Sequence, residues 1–67
     1  MIRIRLKEVL QEKGMSMSML SHESRISFST ISRIINDKNY SPTLNTLERL
    51  AKALDVEISD LYERTPD

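Results

Sequence analysis

This sequence predicts an all-α fold of short amphipathic helices, and three observations carry the prediction. The stretch from Met15 to Lys38, MSMSMLSHESRISFSTISRIINDK, reads as two short helices separated by a tight turn, the second rich in small hydroxyl residues. A separate stripe of Leu44, Leu47, Leu50, Ala51 and Leu54 recurs at helical spacing. The sole glycine, Gly14, stands just past another helical run, where a residue of positive φ is wanted.

Taken in chain order, the first segment is IRIRL, Ile2 to Leu6, which alternates strictly. As a strand it can pair with the same segment of a second chain; as a helix it merely extends the first helix. Helix one spans about Arg5 to Lys13, with Leu6, Val9 and Leu10 inward and Gly14 as its C-terminal cap. Met15, Met19 and Leu20 then recur at helical spacing, so these two methionines read as packing and Met17 as exposed. Ile26 follows the turn, and Ile31, Ile34 and Ile35 resume the period. Ser16 and Ser27 each precede a helical run, where a side-chain oxygen accepts the unpaired N–H groups of the first turn. Neither has Glu or Gln three residues on, so no capping box supports them. Asp37 to Pro42 is a polar link, and Thr43 is the N-cap of helix four. Val56, Ile58, Leu61 and Tyr62 make the last short element, and Arg64 to Asp67 reads as a frayed tail.

The helical wheel of the Ser27–Asn36 segment decides what it shows to solvent. Phe28, Ile31, Ile34 and Ile35 fall on one arc, and Ser29, Ser32, Arg33 and Asn36 on the opposite one. A strip of short donors and acceptors with one guanidinium suits the major groove of DNA. Arg pairs bidentately with guanine O6 and N7, Asn pairs with adenine, and Ser serves either. Read without its surroundings, the same strip is an ordinary solvated face. Phe28 flanks the apolar arc yet begins the strip, so it either packs inward or touches a thymine methyl.

Over about Leu6 to Tyr62 the chain resembles the Cro and phage-repressor family of helix-turn-helix proteins, often called XRE-like. The resemblance rests on KEVLQEKGMS at the end of the first helix, SRISFSTISRIIN as turn and recognition helix, and SPTLNTLERLAKALDVEISDLYE closing the domain. It implies a compact five-helix, lambda-repressor-like DNA-binding domain with the helix-turn-helix in helices two and three, about residues 16 to 36. The family's base-contacting positions fall on Ser27, Phe28, Ser29, Ser32 and Arg33. Its phosphate-contacting positions fall on Ser16, Met17, Arg25, Asn36, Lys38, Asn39 and Tyr40.

Four departures from the family pattern stand out. Met17 occupies a place where many members carry a phosphate-anchoring Gln, and Ser21 a place usually held by Ala. Arg25 stands where the turn usually has Gly; a left-handed Arg costs on the order of 1 kcal/mol, unless the turn is built differently. Leu10 and Ile35 stand where many members have an Arg–Glu ion pair, a replacement of a buried pair by apolar packing.

With 67 residues, one domain covering residues 1 to 67 buries only about 60% of its unfolded surface. The chain has no cysteine, which excludes disulfides and thiolate zinc sites. It shows no signal-like segment and no run near the roughly 20 apolar residues of a membrane span, so a soluble cytoplasmic protein is expected. Its net charge is zero, but residues 1 to 38 carry seven Lys or Arg against four Asp or Glu, while residues 39 to 67 carry three against six. The first part is thus +3 and the second −3. A weakly basic monomer binds DNA weakly, so a homodimer is expected.

The reading that follows is a sequence-specific regulator of transcription, acting on double-stranded DNA as a homodimer without a cofactor or small-molecule ligand. Two recognition helices would enter successive major grooves about 34 Å apart, on a near-palindromic operator. The alternative is a protein-interaction module, an antitoxin-like partner, on the same fold. An enzyme is disfavoured, because the only histidine is His22 and no thiol, phosphate loop or paired acids accompany it. Three scattered aromatics make no stacking platform for single strands.

Overall fold

The computed structural model describes residues 2–37 and 39–66. Strand β1 (Ile2–Ile4) leads into four helices, α1 (Leu6–Lys13), α2 (Met17–Ser24), α3 (Phe28–Asn36) and α4 (Leu44–Leu54). A 3₁₀ turn at Ile58–Leu61 and strand β2 (Tyr62–Arg64) complete the order. The fold is mostly helical, as expected, with four α-helices and a 3₁₀ turn among the described residues in place of five helices. The last element is started by a capping box at Glu57: the Asp60 backbone N–H donates to the Glu57 carbonyl at 2.9 Å, and Asp60 Oδ2 accepts from the Glu57 N–H at 3.0 Å.

The starts of α2, α3 and α4 each follow from a hydroxyl residue, whereas Arg5 at the start of α1 makes no side-chain cap. Ser16 Oγ accepts from Met19 N–H at 3.1 Å, Ser27 Oγ from Thr30 N–H at 3.3 Å, and Thr43 Oγ1 from Thr46 N–H at 3.2 Å. These side chains satisfy donors that have no intrahelical partner. Gly14 ends α1 at φ 63°, and Asp55 ends α4 in the same left-handed region.

The core is one cluster: Leu6, Val9 and Leu10 of α1, Leu20 of α2, Ile26, Ile31 and Ile34 around α3, Leu47, Leu50, Ala51 and Leu54 of α4, and Leu61. Helix α2 packs against both α3 and α4, while α1 rests on α3 and the 3₁₀ turn. Two apolar assignments made from periodicity need correction. Leu44 is 68% exposed, because it is the first residue after the Thr43 cap and the buried stripe of α4 begins only at Leu47. Met17 and Met19 exchange roles, Met17 being half-buried against the core and Met19 53% exposed. The Ser16 cap fixes where α2 starts, and the fully buried Leu20 fixes its inner face. Met17 lies three residues before Leu20 and shares that face; Met19, next to it, is turned about 100° away.

The ends of the chain meet. β1 and β2 pair antiparallel, with Ile2 opposite Arg64, Arg3 opposite Glu63 and Ile4 opposite Tyr62. The alternation of Ile2 to Leu6 therefore resolves into a short strand whose partner lies in the same chain, followed directly by α1. Arg64, expected in a frayed tail, closes the ladder. The Arg3 guanidinium hydrogen-bonds Glu63 and lies 3.2 Å from Glu8, and these acids hold it more firmly protonated than usual.

Candidate nucleic-acid interface

Helix α3 buries Ile31 and Ile34 and turns Ser29, Arg33 and Asn36 outward, with Ser32 half-buried between them. Two apolar residues at i and i+3 anchor one face, which forces the residues between them to the other. Asn36 Nδ2 donates to Ser32 Oγ at 3.1 Å, one turn back along the strip. At the opposite end, the Ser27 hydroxyl caps the helix and lies 2.8 Å from Thr30 Oγ1 and 3.3 Å from Ser29 Oγ. Phe28 is 50% exposed, so of its two alternatives the inward one is excluded. The core position at this end of α3 belongs to Ile26.

Arg33 is exposed but not loose. Its Nε lies 3.9 Å from Asp37 Oδ2, and its Cζ 5.0 Å from the centroid of the Tyr40 ring. The link after α3 is built around Asp37, whose carbonyl accepts from Tyr40 N–H at 3.1 Å and whose Oδ1 accepts from Asn39 N–H at 2.9 Å. This turn brings Tyr40 back over the last turn of the helix. Tyr40 is half-buried and packs against the core, while Asn39 is exposed. Lys38 lies outside the described residues.

At the start of α2, the Ser16 oxygen is engaged as a cap, which leaves its hydroxyl proton able to donate to an anion. Met17 turns instead into a depression of about 290 Å³ that it lines with Leu10, Met15 and Ile35 among others. Leu10 and Ile35 thus share one apolar hollow, the arrangement their substitution for charged residues calls for.

Arg25 takes up φ 59° and ψ 31°, so the α2–α3 turn is of the left-handed kind despite the missing glycine. Ser21 accounts for how the turn is pinned. Its Oγ donates to the Ile26 carbonyl at 2.6 Å, a bond that spans the residues of the turn and that Ala cannot make. Arg25 also lines an open depression of about 480 Å³ with Arg49 and Lys52 of α4 and with Glu23.

Asp37, Arg49 and Lys52 adjoin these residues without having been singled out in the sequence. Asp37 was legible, since it follows Arg33 at the i, i+4 spacing of helical ion pairs. The convergence of Arg49 and Lys52 on Arg25 carried no local signal, because it depends on how α4 packs against α2. Among the described residues no group of three His, Cys, Asp or Glu is placed to hold a metal ion, and His22 is exposed. No helix among them is long and apolar enough to cross a membrane.

The family model for the Cro/C1-type HTH DNA-binding domain matches residues 5–67. No curated protein matches the chain.

Proposed function

The chain belongs to the Cro/C1-type HTH DNA-binding domain family, and from that membership we propose a sequence-specific transcriptional regulator that reads duplex DNA with α3. The observation that carries this reading is the polar strip of Ser29, Ser32, Arg33 and Asn36, presented on a helix whose other face is locked into the core. In the proposed complex, Arg33 meets guanine, and Ser27, Ser29 and Ser32 serve neighbouring base edges at close approach. Phe28 touches a thymine methyl in this reading, which its exposure at the leading end of the helix supports. Ser16, Arg25, Asn36, Lys38 and Asn39 supply contacts to phosphate, which fix register rather than sequence.

A monomer with a net charge of zero gains little from counterion release, so the reading includes a homodimer on a near-palindromic operator. Repression by occlusion of the promoter is the proposed outcome, in the cytoplasm and without catalysis. Selection of bound sequences from random duplex DNA, followed by titration of the winner at two salt concentrations, tests the sequence-specific, dimeric binding. A palindromic consensus with a steep salt slope supports the dimeric reader. The exposed Phe28 favours a second reading, a protein-interaction module, and failure of the folded protein to enrich any sequence would select it. A promoter–reporter pair carrying the consensus then distinguishes repression from activation.

A further inference from the structure

We infer that Tyr40 and Asp37 are positioning residues that set the base specificity of Arg33, an inference that rests on Arg33 being a base-reading side chain. The argument is geometric. A guanidinium has two faces and an edge that carries its donors in one plane. The Tyr40 ring covers a face, with Cζ 5.0 Å from the ring centroid. Asp37 lies toward the Nε side of the edge, at 3.9 Å. The two Nη groups have no hydrogen-bond partner among the described residues, and they are the fork that guanine O6 and N7 accept.

The platform is itself fixed from below. Tyr40 packs against the core on one side, and the Asp37 carbonyl holds its backbone N–H at 3.1 Å. Asp37 has a double part, because its Oδ1 also accepts from Asn39 N–H at 2.9 Å and so shapes the turn that returns Tyr40 to the helix. A long side chain that is 65% exposed would otherwise sample many rotamers, each lost on binding. Held against Tyr40 and Asp37, Arg33 arrives with much of that ordering already done. Tyr40 thus acts through Arg33 rather than through its hydroxyl on a phosphate. Asp37 is an anion beside a polyanion, which weakens general attraction while it sharpens the reading.

The test uses the full chain and the duplex selected from random sequence, compared with the same duplex carrying adenine for the guanine that Arg33 reads, and with random duplex. Tyr40→Phe, which keeps the ring and removes the hydroxyl, is expected to leave the guanine preference and the affinity unchanged. Tyr40→Leu, which keeps apolar packing and removes the π face, is expected to lower the preference about two- to fivefold, with affinity for random duplex unaltered. Asp37→Asn is expected to lower the preference while raising affinity for random duplex, and as an exposed substitution it carries the readout if Tyr40→Leu does not fold. In an Arg33→Ala background neither change should alter the preference further. A loss of affinity across all duplexes on Tyr40→Phe, or an effect of Tyr40→Leu that persists without Arg33, overturns the positioning role alone. A wild-type chain with no preferred duplex overturns the base-reading assignment and this one with it.

Discussion

Arg25 holds φ at 59° in a turn where glycine would sit without strain, and it lines an open depression together with the cations Arg49 and Lys52. Backbone and side chain therefore pull in opposite directions. Arg25→Gly should raise stability by up to about 1 kcal/mol, the strain a non-glycine residue carries in this region. Thermal melts check that, and if Arg25 meets phosphate the same variant will bind every duplex more weakly with a shallower salt slope. Ser21→Ala should act the other way, lowering stability by about 1 kcal/mol, because it removes the 2.6 Å bond that pins the Ile26 carbonyl. Arg33→Ala belongs to a different class. It should lower affinity by about 1–3 kcal/mol on the selected duplex and relax the preference at one base position, with little change on random DNA. Much of this was legible: the sequence placed Arg33, Ser29 and Asn36 on one outward strip, and it flagged the cost at Arg25. It gave no sign that Tyr40 returns over Arg33, since a turn centred on Asp37 brings them together.

Helices α2, α3 and α4 owe their starts to capping hydroxyls, and two caps with similar geometry should have separable consequences. Thr43 caps α4 and is not part of the α3 strip, so Thr43→Ala should cost about 0.5–2 kcal/mol of stability and leave the preferred DNA sequence intact. Ser27 caps α3 itself and adjoins Ser29 and Thr30. Ser27→Ala should cost a similar amount and also weaken binding to the selected duplex, as read by melts and titrations in parallel. The three hydroxyl caps were visible in the sequence, because a Ser or Thr before a periodic run is a local signal with a local cause; the capping box at Glu57 was not singled out there. Face assignment was less secure in the shortest helix. α2 has only Leu20 as a fully buried apolar anchor, and its two closely spaced methionines, with Met15 just before them, fit more than one wheel, which is why Met17 and Met19 were exchanged. In α4, by contrast, four buried positions over-determine the face, and only Leu44 at its entry strayed.

At the scale of the whole molecule the core is small and contiguous, so single truncations within it are felt throughout. Leu61 is fully buried where the 3₁₀ turn meets α1 and α4. Leu61→Ala should cost about 2–5 kcal/mol, a large share of the stability available to a chain of this size, and denaturant unfolding would show it. The same element joins the ends of the chain, since the Leu61 carbonyl accepts from Arg5 N–H at 2.8 Å just before β2 pairs with β1. By itself the sequence determined the helical class, the hydroxyl caps and the outward strip of α3, since each rests on spacing within a dozen residues or fewer, and the helix-turn-helix unit and the family, which rest on several such local motifs in a fixed order along the chain. Only the tertiary structure decided that Ile2–Ile4 pairs with Tyr62–Arg64, that Met17 turns inward and Phe28 outward, and that Arg25, Arg49 and Lys52 line one depression. Those outcomes turn on which surfaces the packed helices leave available, and periodicity within one segment contains no information about a neighbour that arrives from the other end of the chain.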